Sequence, residues 1–440
     1  MHFEKAMQHI LAVSLAMLLA GCAMQSGTRV SSSPAGAVHA AQPTQAARTP
    51  LLLISIDGYR SDYLQRKQSP TLSSMAANGV RAKAMQPSFP SLTFPNHYTL
   101  VTGLYPDHQG IVNNTMYDSK LGKFSLRNRK AVETPQWWAE GEPIWVTADR
   151  QGLKTGTMFW PGSEARIHGL RPDYWHLFDG RVTPAQRVDQ ILAWLDLPAA
   201  QRPTFLTLYF DDVDHAGHEY GPDTDQVDAA IRKVDSALSR LVTGLRARGL
   251  YQNINIIVVS DHGMASVPKG HLVIMDDLID LSHVRAVSMG ILAGFNPKPG
   301  YADSISRKLL GRHDHMTCWK RKDIPARFHY GSNPRIPDIS CLADVGWQIS
   351  NRGYLKRRKR PMSLGEHGYD NASPLMRALF IAHGPAFRKG ATIAEFPNVD
   401  VYPLMTQLLR IKPQPNDGSI APFEGALKAG STSASASAQH

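Results

Sequence analysis

The sequence predicts an α/β protein: a doubly wound, mostly parallel sheet with helices on both faces and a small inserted α/β subdomain. Three observations lead there. Three short runs, Leu51–Ile56, Phe205–Phe210 and Ile254–Val259, are apolar almost throughout, as strands buried on both faces must be. A helical pattern (Val227, Ile231, Val234, Leu238, Leu241, Val242, Leu245) leads directly into the third run, making a strand–helix–strand unit. Each run is also followed within a few residues by acids: Asp57; Asp211, Asp212 and Asp214; Asp261. Ligands of open α/β sheets sit beyond the carboxyl ends of strands, so three such ends imply one polar site assembled from distant sequence.

From the N-terminus, Lys5 precedes an apolar run, Ile10–Ala20, that is too short to span a bilayer core of about 30 Å but suits a signal peptide. It ends in Leu19-Ala20-Gly21-Cys22, which resembles a bacterial lipobox with Cys22 as the residue to be lipidated. An ordinary cleaved signal is the alternative. Residues 1–22 are thus expected to be a lipoprotein signal peptide, and 23–50, rich in Ser, Ala, Gln, Pro and Thr, a flexible tether. Ala23 after the cysteine points to outer-membrane sorting, so the expectation is a periplasmic protein held at the outer membrane by its lipid. Export would allow a Cys318–Cys341 bridge, although sequence cannot show its geometry. A catalytic domain is expected over 51–410 and a C-terminal tail over 411–440, disordered towards its Ser/Ala-rich end.

Within the domain, Asp223 or Thr224 is positioned to cap the Val227–Leu245 helix, and Gly249 to stop it. The insertion, about 280–360, reads as the runs Val284–Gly294, Thr317–Tyr330 and Ile339–Ser350 with a helix at Asp303–Leu310.

At 440 residues and 42% hydrophobic, the chain has enough apolar content for a core, which excludes bulk disorder; three cysteines exclude a disulfide scaffold. The net charge of +11 invites a polyanion-binding reading. Its distribution argues otherwise, because residues 301–360 hold 14 Lys/Arg against 5 Asp, a net of +9, and residues 1–50 supply the rest. Lys356–Arg360 are five consecutive cations with no aromatic nearby except Tyr354, and read as a solvated loop. No specific nucleic-acid partner is expected, and a basic envelope- or nucleic-acid-binding lipoprotein is the weaker alternative.

Asp214-His-Ala-Gly-His218 sets a carboxylate and an imidazole four residues apart, on one face of a helical turn. Asp261-His262-Gly263 leaves a strand, and Glu366-His367-Gly368 supplies another histidine in a glycine-flanked loop. Mixed Asp/His ligation suits Zn²⁺, with Mn²⁺ as a possible substitute, and argues against the all-oxygen cages of Ca²⁺. The segment Pro87–Gly103 offers a hydroxyl nucleophile where a Ser/Thr/Pro loop passes into a helix, whose positive dipole end favours an alkoxide. Composition leaves Ser88, Ser91 and Thr93 open.

In order along the chain stand Asp57-Gly58, Thr93-Phe-Pro-Asn-His-Tyr98, Gly110-Ile-Val-Asn-Asn114-Thr-Met-Tyr-Asp118, Asp214-His-Ala-Gly-His218, Val258-Val-Ser-Asp-His-Gly-Met264 and Glu366-His-Gly368. Together with Lys322–Tyr330 and Asn333–Pro337 they resemble the nucleotide pyrophosphatase/phosphodiesterase family of the alkaline phosphatase superfamily, over about residues 50–410. The resemblance implies an alkaline-phosphatase-like fold and two Zn²⁺ ions. It implies Thr93 as a nucleophile that forms a phosphothreonine intermediate. Asp214, His218 and His367 would hold one zinc; Asp57, Asp261 and His262 would hold the other, which the Thr93 oxygen also contacts. Asn114 would donate to a phosphoryl oxygen, and Phe94 and Tyr209 would flank a nucleobase.

The expected activity is a phosphoric diester hydrolase and nucleotide diphosphatase that releases nucleoside 5′-monophosphates, acting as a monomer. A neutral Asn in place of an Arg clamp suits the single charge of a diester. A lipid-headgroup (choline-type) phosphodiesterase on the same site is the nearest alternative.

Overall fold

The main sheet starts with β1 (Leu51–Ile56), β2 (Val80–Ala82), β3 (Thr155–Met158), β4 (Tyr174–Trp175), β5 (Phe205–Phe210) and β6 (Asn255–Val259). The insertion follows as β7 (Val284–Ser288), β8 (Leu292–Pro297), β9 (Gly311–His313), β10 (Met316–Lys320) and β11 (Ile339–Ala343). The chain then rejoins the main sheet as β12 (Phe380–His383) and β13 (Ala391–Ile393). In space the order is β13-β2-β12-β6-β1-β5-β3-β4, parallel except for β12, which runs against both its neighbours. This computed structural model describes residues 48–429. Cys22, the signal peptide, nearly all of the tether and the tail from residue 430 lie outside the described residues.

The helices that frame the sheet are α1 (Pro70–Ala77), α2 (Thr93–Thr102), α3 (Pro184–Leu195), α4 (Asp212–Tyr220), α5 (Asp225–Ala247) and α6 (Val401–Leu409). Successive residues of a strand face opposite sides, and β1 shows the consequence. Leu51 and Leu53 enter a core shared with α2 and α6, while Leu52, Ile54 and Ile56 enter a second core with α1, α3 and α5. Two covered faces are why the run contains only one polar residue, Ser55. Ile411, Phe423 and Leu427 are buried as well, so packed chain extends past residue 410.

Helix α5 extends the expected helix by two residues at each end. The expected side-chain cap is absent. Thr224 is the N-cap, but its hydroxyl donates to the Gly221 carbonyl, and Asp223 pairs with Arg60 and Arg66 instead. Gly249, at φ +65°, does follow the C-terminus, where Arg248 donates to the Gly244 carbonyl.

The insertion is a five-stranded antiparallel sheet, β7-β8-β11-β10-β9, with a helix at Ala302–Leu309. The run Val284–Gly294 forms two strands rather than one, separated by a turn. Cys318 and Cys341 face each other on β10 and β11 and are joined by a disulfide. Arg335 is buried and reaches out of the insertion to Asp118 and Glu140 and to the carbonyls of Gly110 and Trp137. Asp107 accepts from the backbone N–H groups of Gly331, Ser332 and Asn333. These contacts tie the insertion to the segment that carries Asn114.

Candidate active site

Strands β5, β1 and β6 are adjacent and parallel, so their carboxyl ends open side by side. Asp57 directly follows β1, and Asp261-His262 follow β6 after Ser260. β5 runs into α4, whose first turn holds Asp214 and whose last holds His218. Gly58, at φ +68°, lets the first two ends close. A Cβ there would stand 2.9 Å from the Cα of Asp214. Gly365 does the same for the loop of His367, since its Cβ would lie 2.3 Å from the Gly217 carbonyl oxygen.

All six expected ligands meet in one cluster. His218 Nε2 lies 3.4 Å from Asp214 Oδ1, and His367 Nε2 lies 3.6 Å from the same oxygen and 3.2 Å from His218 Nε2. His262 Nε2 lies 2.9 Å from Asp261 Oδ2 and 3.5 Å from Asp57 Oδ1, and its ring stacks on that of His367 with centroids 3.5 Å apart.

The hydrogen bonds around the cluster show which atoms are available. Nδ1 of His218 faces the Gly365 carbonyl at 2.8 Å, that of His262 the Gly263 carbonyl at 2.9 Å, and that of His367 the Ser91 carbonyl at 2.8 Å. A carbonyl only accepts, so each Nδ1 carries the proton and each Nε2 presents a lone pair to the cluster. Asp57 Oδ1, Asp214 Oδ1 and Asp261 Oδ2 are buried without a hydrogen-bond partner. Buried acceptors converging on one another with nothing to donate to them are unfavourable unless a cation lies between them. The donor set, three imidazoles and three carboxylates, fits Zn²⁺ or Mn²⁺.

Burial, reinforced by Asp261 and Asp214, pushes the Asp57 carboxyl well above the usual range. Burial acts the same way on Asp261, but the imidazoles of His262 and His97 outweigh it and hold this carboxyl well below. Burial and the neighbouring His262 and His218 keep His367 far below the usual imidazole range, and therefore neutral.

His97 was not anticipated. It is fully buried, and its ligand atom lies within 4.8 Å of those of Asp57 and Asp261. Its own bonds argue against ligation. Nδ1 donates to the Thr93 carbonyl at 2.9 Å and lies 3.3 Å from Asp261 Oδ2, while Nε2 meets the Ser55 hydroxyl at 2.8 Å. Both nitrogens are engaged, so His97 links the first turn of α2 to β1 and to Asp261. The signal was present in sequence as a histidine four residues after Thr93, but its partners come from two other strands.

The three candidate hydroxyls separate clearly. Ser88 is buried and donates to Asn398 Oδ1, and Ser91 is buried and donates to the Tyr369 carbonyl. Thr93, the first residue of α2, has its Oγ1 3.3 Å from His262 Nε2. Asn114 accepts at Oδ1 from the Phe94 N–H at 2.9 Å, which leaves its Nδ2 to donate. Phe94 is half-buried against Phe124 and Trp138.

Tyr209 differs from its expected role. It is buried, its hydroxyl donates to Asp57 Oδ2 at 2.6 Å, and its ring packs on His97. A phenol held by a carboxylate beneath the cluster has no open face for a base. The exposed ring in contact with it is Phe178.

Residues 51–370 match the family described as type I phosphodiesterase/nucleotide pyrophosphatase. The chain is 40% identical over 395 residues to an uncharacterized pyrophosphatase/phosphodiesterase of Schizosaccharomyces pombe, a match that covers 87% of this chain and 81% of that protein. It is 38% identical over 390 residues to ectonucleotide pyrophosphatase/phosphodiesterase family member 3 of Bos taurus, covering 86% of this chain and 44% of the bovine protein, so it spans less than half of that relative. Among solved structures it resembles murine ectonucleotide pyrophosphatase/phosphodiesterase 5, in an inactive form in complex with AMP. The TM-score is 0.82 at 35% identity, over 87% of this chain and 100% of the murine one. The human counterpart gives a TM-score of 0.82 at 35% identity, over 86% of this chain and 100% of the human one. This chain belongs to the type I phosphodiesterase/nucleotide pyrophosphatase family.

Proposed function

We propose that this protein is a zinc-dependent phosphodiesterase and nucleotide pyrophosphatase that releases nucleoside 5′-monophosphates through a phosphothreonine intermediate at Thr93. Its family makes it a phosphoric diester hydrolase or nucleotide diphosphatase. The observation that carries the finer reading is the convergence of unpartnered carboxylate oxygens and three Nε2 lone pairs beside Thr93 Oγ1. Asp214, His218 and His367 would hold one zinc, and Asp57, Asp261 and His262 the other.

Bound zinc would supply Lewis acidity, polarising phosphoryl oxygens and lowering the pKa of a neighbouring hydroxyl. The protein supplies the rest. Thr93 Oγ1 loses its proton and forms a bond to phosphorus as the bond to the leaving oxygen breaks. A water then cleaves the threonine ester, returning the hydroxyl and freeing the monophosphate. The start of α2 favours negative charge on Oγ1. Asn114, held by the Phe94 N–H, offers Nδ2 to a non-bridging oxygen. Phe94 is a candidate ring for the base, and exposed Phe178 is a better second ring than buried Tyr209. The murine relative is described with AMP and in an inactive Thr→Ala form, which supports a monophosphate product and a threonine nucleophile here.

Thr93→Ala should lower kcat by on the order of 10⁴-fold or more with the metal content unchanged. Activity near that of the wild type would remove Thr93 from its role. Glycerophosphocholine assayed beside a nucleotide diester decides between nucleotide and choline-type substrates. The same proposal includes export and anchoring through Cys22. The Cys318–Cys341 bridge supports an oxidising compartment, and loss of fatty-acid labelling in Cys22→Ser would establish the anchor.

A further inference from the structure

The insertion's positive charge has one concentrated outlet. From the last turn of the short helix Arg352–Arg357 towards Ser363, the chain carries Lys356, Arg357, Arg358, Lys359 and Arg360. Lys356, Arg357, Lys359 and Arg360 are exposed, and no carboxylate among the described residues pairs with them; only Arg352, upstream, pairs with an acid, Asp277.

This run is tethered to the active site at close range. The Ser363 hydroxyl and the Leu364 N–H both donate to the His218 carbonyl, each at 2.9 Å. Arg360 is three residues earlier, so at most about 10 Å of chain separates it from the residue touching His218. That is comparable to the Debye length of about 8 Å at physiological ionic strength, so the influence of these exposed cations on the site is partly screened there and strengthens as salt is lowered.

A further cation comes from a different part of the chain. Leu126 N–H donates to the Asn114 carbonyl at 3.0 Å, which sets the adjoining Arg127 next to Asn114. Arg127 is exposed and without a carboxylate partner among the described residues.

We propose that Lys356–Arg360, with Arg127, form an electrostatic collector at the mouth of the site that ranks substrates by negative charge. It would favour those whose leaving group carries further phosphates over singly charged diesters. The proposal rests on the phosphoryl-transfer reading above. Unpaired surface cations raise the local concentration and capture rate of anions without touching the reacting phosphorus. They should therefore act on kcat/KM in proportion to substrate charge and fade with salt.

The test uses the full chain and two probes, ATP and the singly charged bis(4-nitrophenyl) phosphate, from low to high ionic strength. Wild-type protein should show a steep fall of kcat/KM with salt for ATP and a shallow one for the diester. Replacing Lys356, Arg357, Lys359 and Arg360 together by Gln should lower the ATP-to-diester ratio of kcat/KM by about 5- to 10-fold at low salt, and the two proteins should converge at high salt. The charge-conserving pair Arg357→Lys with Arg360→Lys should keep the wild-type slope, which separates charge from loop packing. An unchanged ratio and salt slope in the glutamine variant would overturn the collector and leave the function intact. Failure of wild-type protein to turn over either probe would instead overturn the function.

Discussion

His97 holds its ring by both nitrogens, so it contributes the direction in which Thr93 and Asp261 face. Asparagine can set an amide N–H where Nδ1 lies; leucine cannot. His97→Leu should weaken zinc retention against a chelator by about 10- to 100-fold, the usual effect of losing an outer partner of a metal ligand, while His97→Asn stays within a few-fold of wild type. Comparable unfolding midpoints of the metal-free proteins would show that the fold is not the cause. Equal zinc retention in the leucine variant would refute the role. The six candidate ligands stand out in the sequence because acids at strand ends and DxxxH on a helix are local patterns. His97 does not, because Ser55 and Asp261 reach it only after β1 and β6 pair. The Tyr209 contact is hidden for the same reason: in sequence it is an aromatic near a site, and only the packing of β5 against β1 reveals the hydroxyl on Asp57.

Two elements lend themselves to direct tests. Arg335 anchors the insertion to the Asn114 segment with five donors satisfied by Asp118, Glu140 and three carbonyls. Arg335→Ala leaves buried acceptors unpaired and should cost about 3 kcal/mol in denaturant unfolding. A loss below about 0.5 kcal/mol would mean that the insertion is held elsewhere. At the start of α6, burial pushes Asp400 up to about 6, although the Ser419 N–H donates to it. A raised carboxyl favours the protonated form in the fold, so stability is full below about pH 4 and is lost as pH rises through about 6. Asp400→Asn keeps an acceptor for Ser419 and cannot ionise. Its stability relative to wild type should grow by about 1–2 kcal/mol from pH 4 to pH 7, as read by thermal unfolding, and a flat difference would contradict the assignment. The long helix and the three buried strands were legible because their periodicity is local. The strand order and the antiparallel sheet of the insertion were not, since a run such as Val284–Gly294 does not show where it turns back on itself.

For the whole molecule, the doubly wound sheet brings acids from three separate stretches of sequence to adjacent strand ends, and the insertion supplies nearly all of the net charge. Charge and catalysis are thus divided between two layers of the fold. A formally neutral framework holds the proposed metal ions, and a basic insertion lies beside it. This division was visible in the residue count; its proximity to His218 was not, because it depends on Ser363 and Leu364 crossing the end of α4. In the proposed mechanism Thr93 attacks the phosphorus bearing the nucleoside in a metal-dependent step. Product analysis by ³¹P NMR of ATP turnover, before and after exhaustive chelation, tests it most directly. The expected products are AMP and pyrophosphate in equal amounts, lost on chelation and restored by zinc. ADP with inorganic phosphate, or turnover unaffected by chelation, would contradict it.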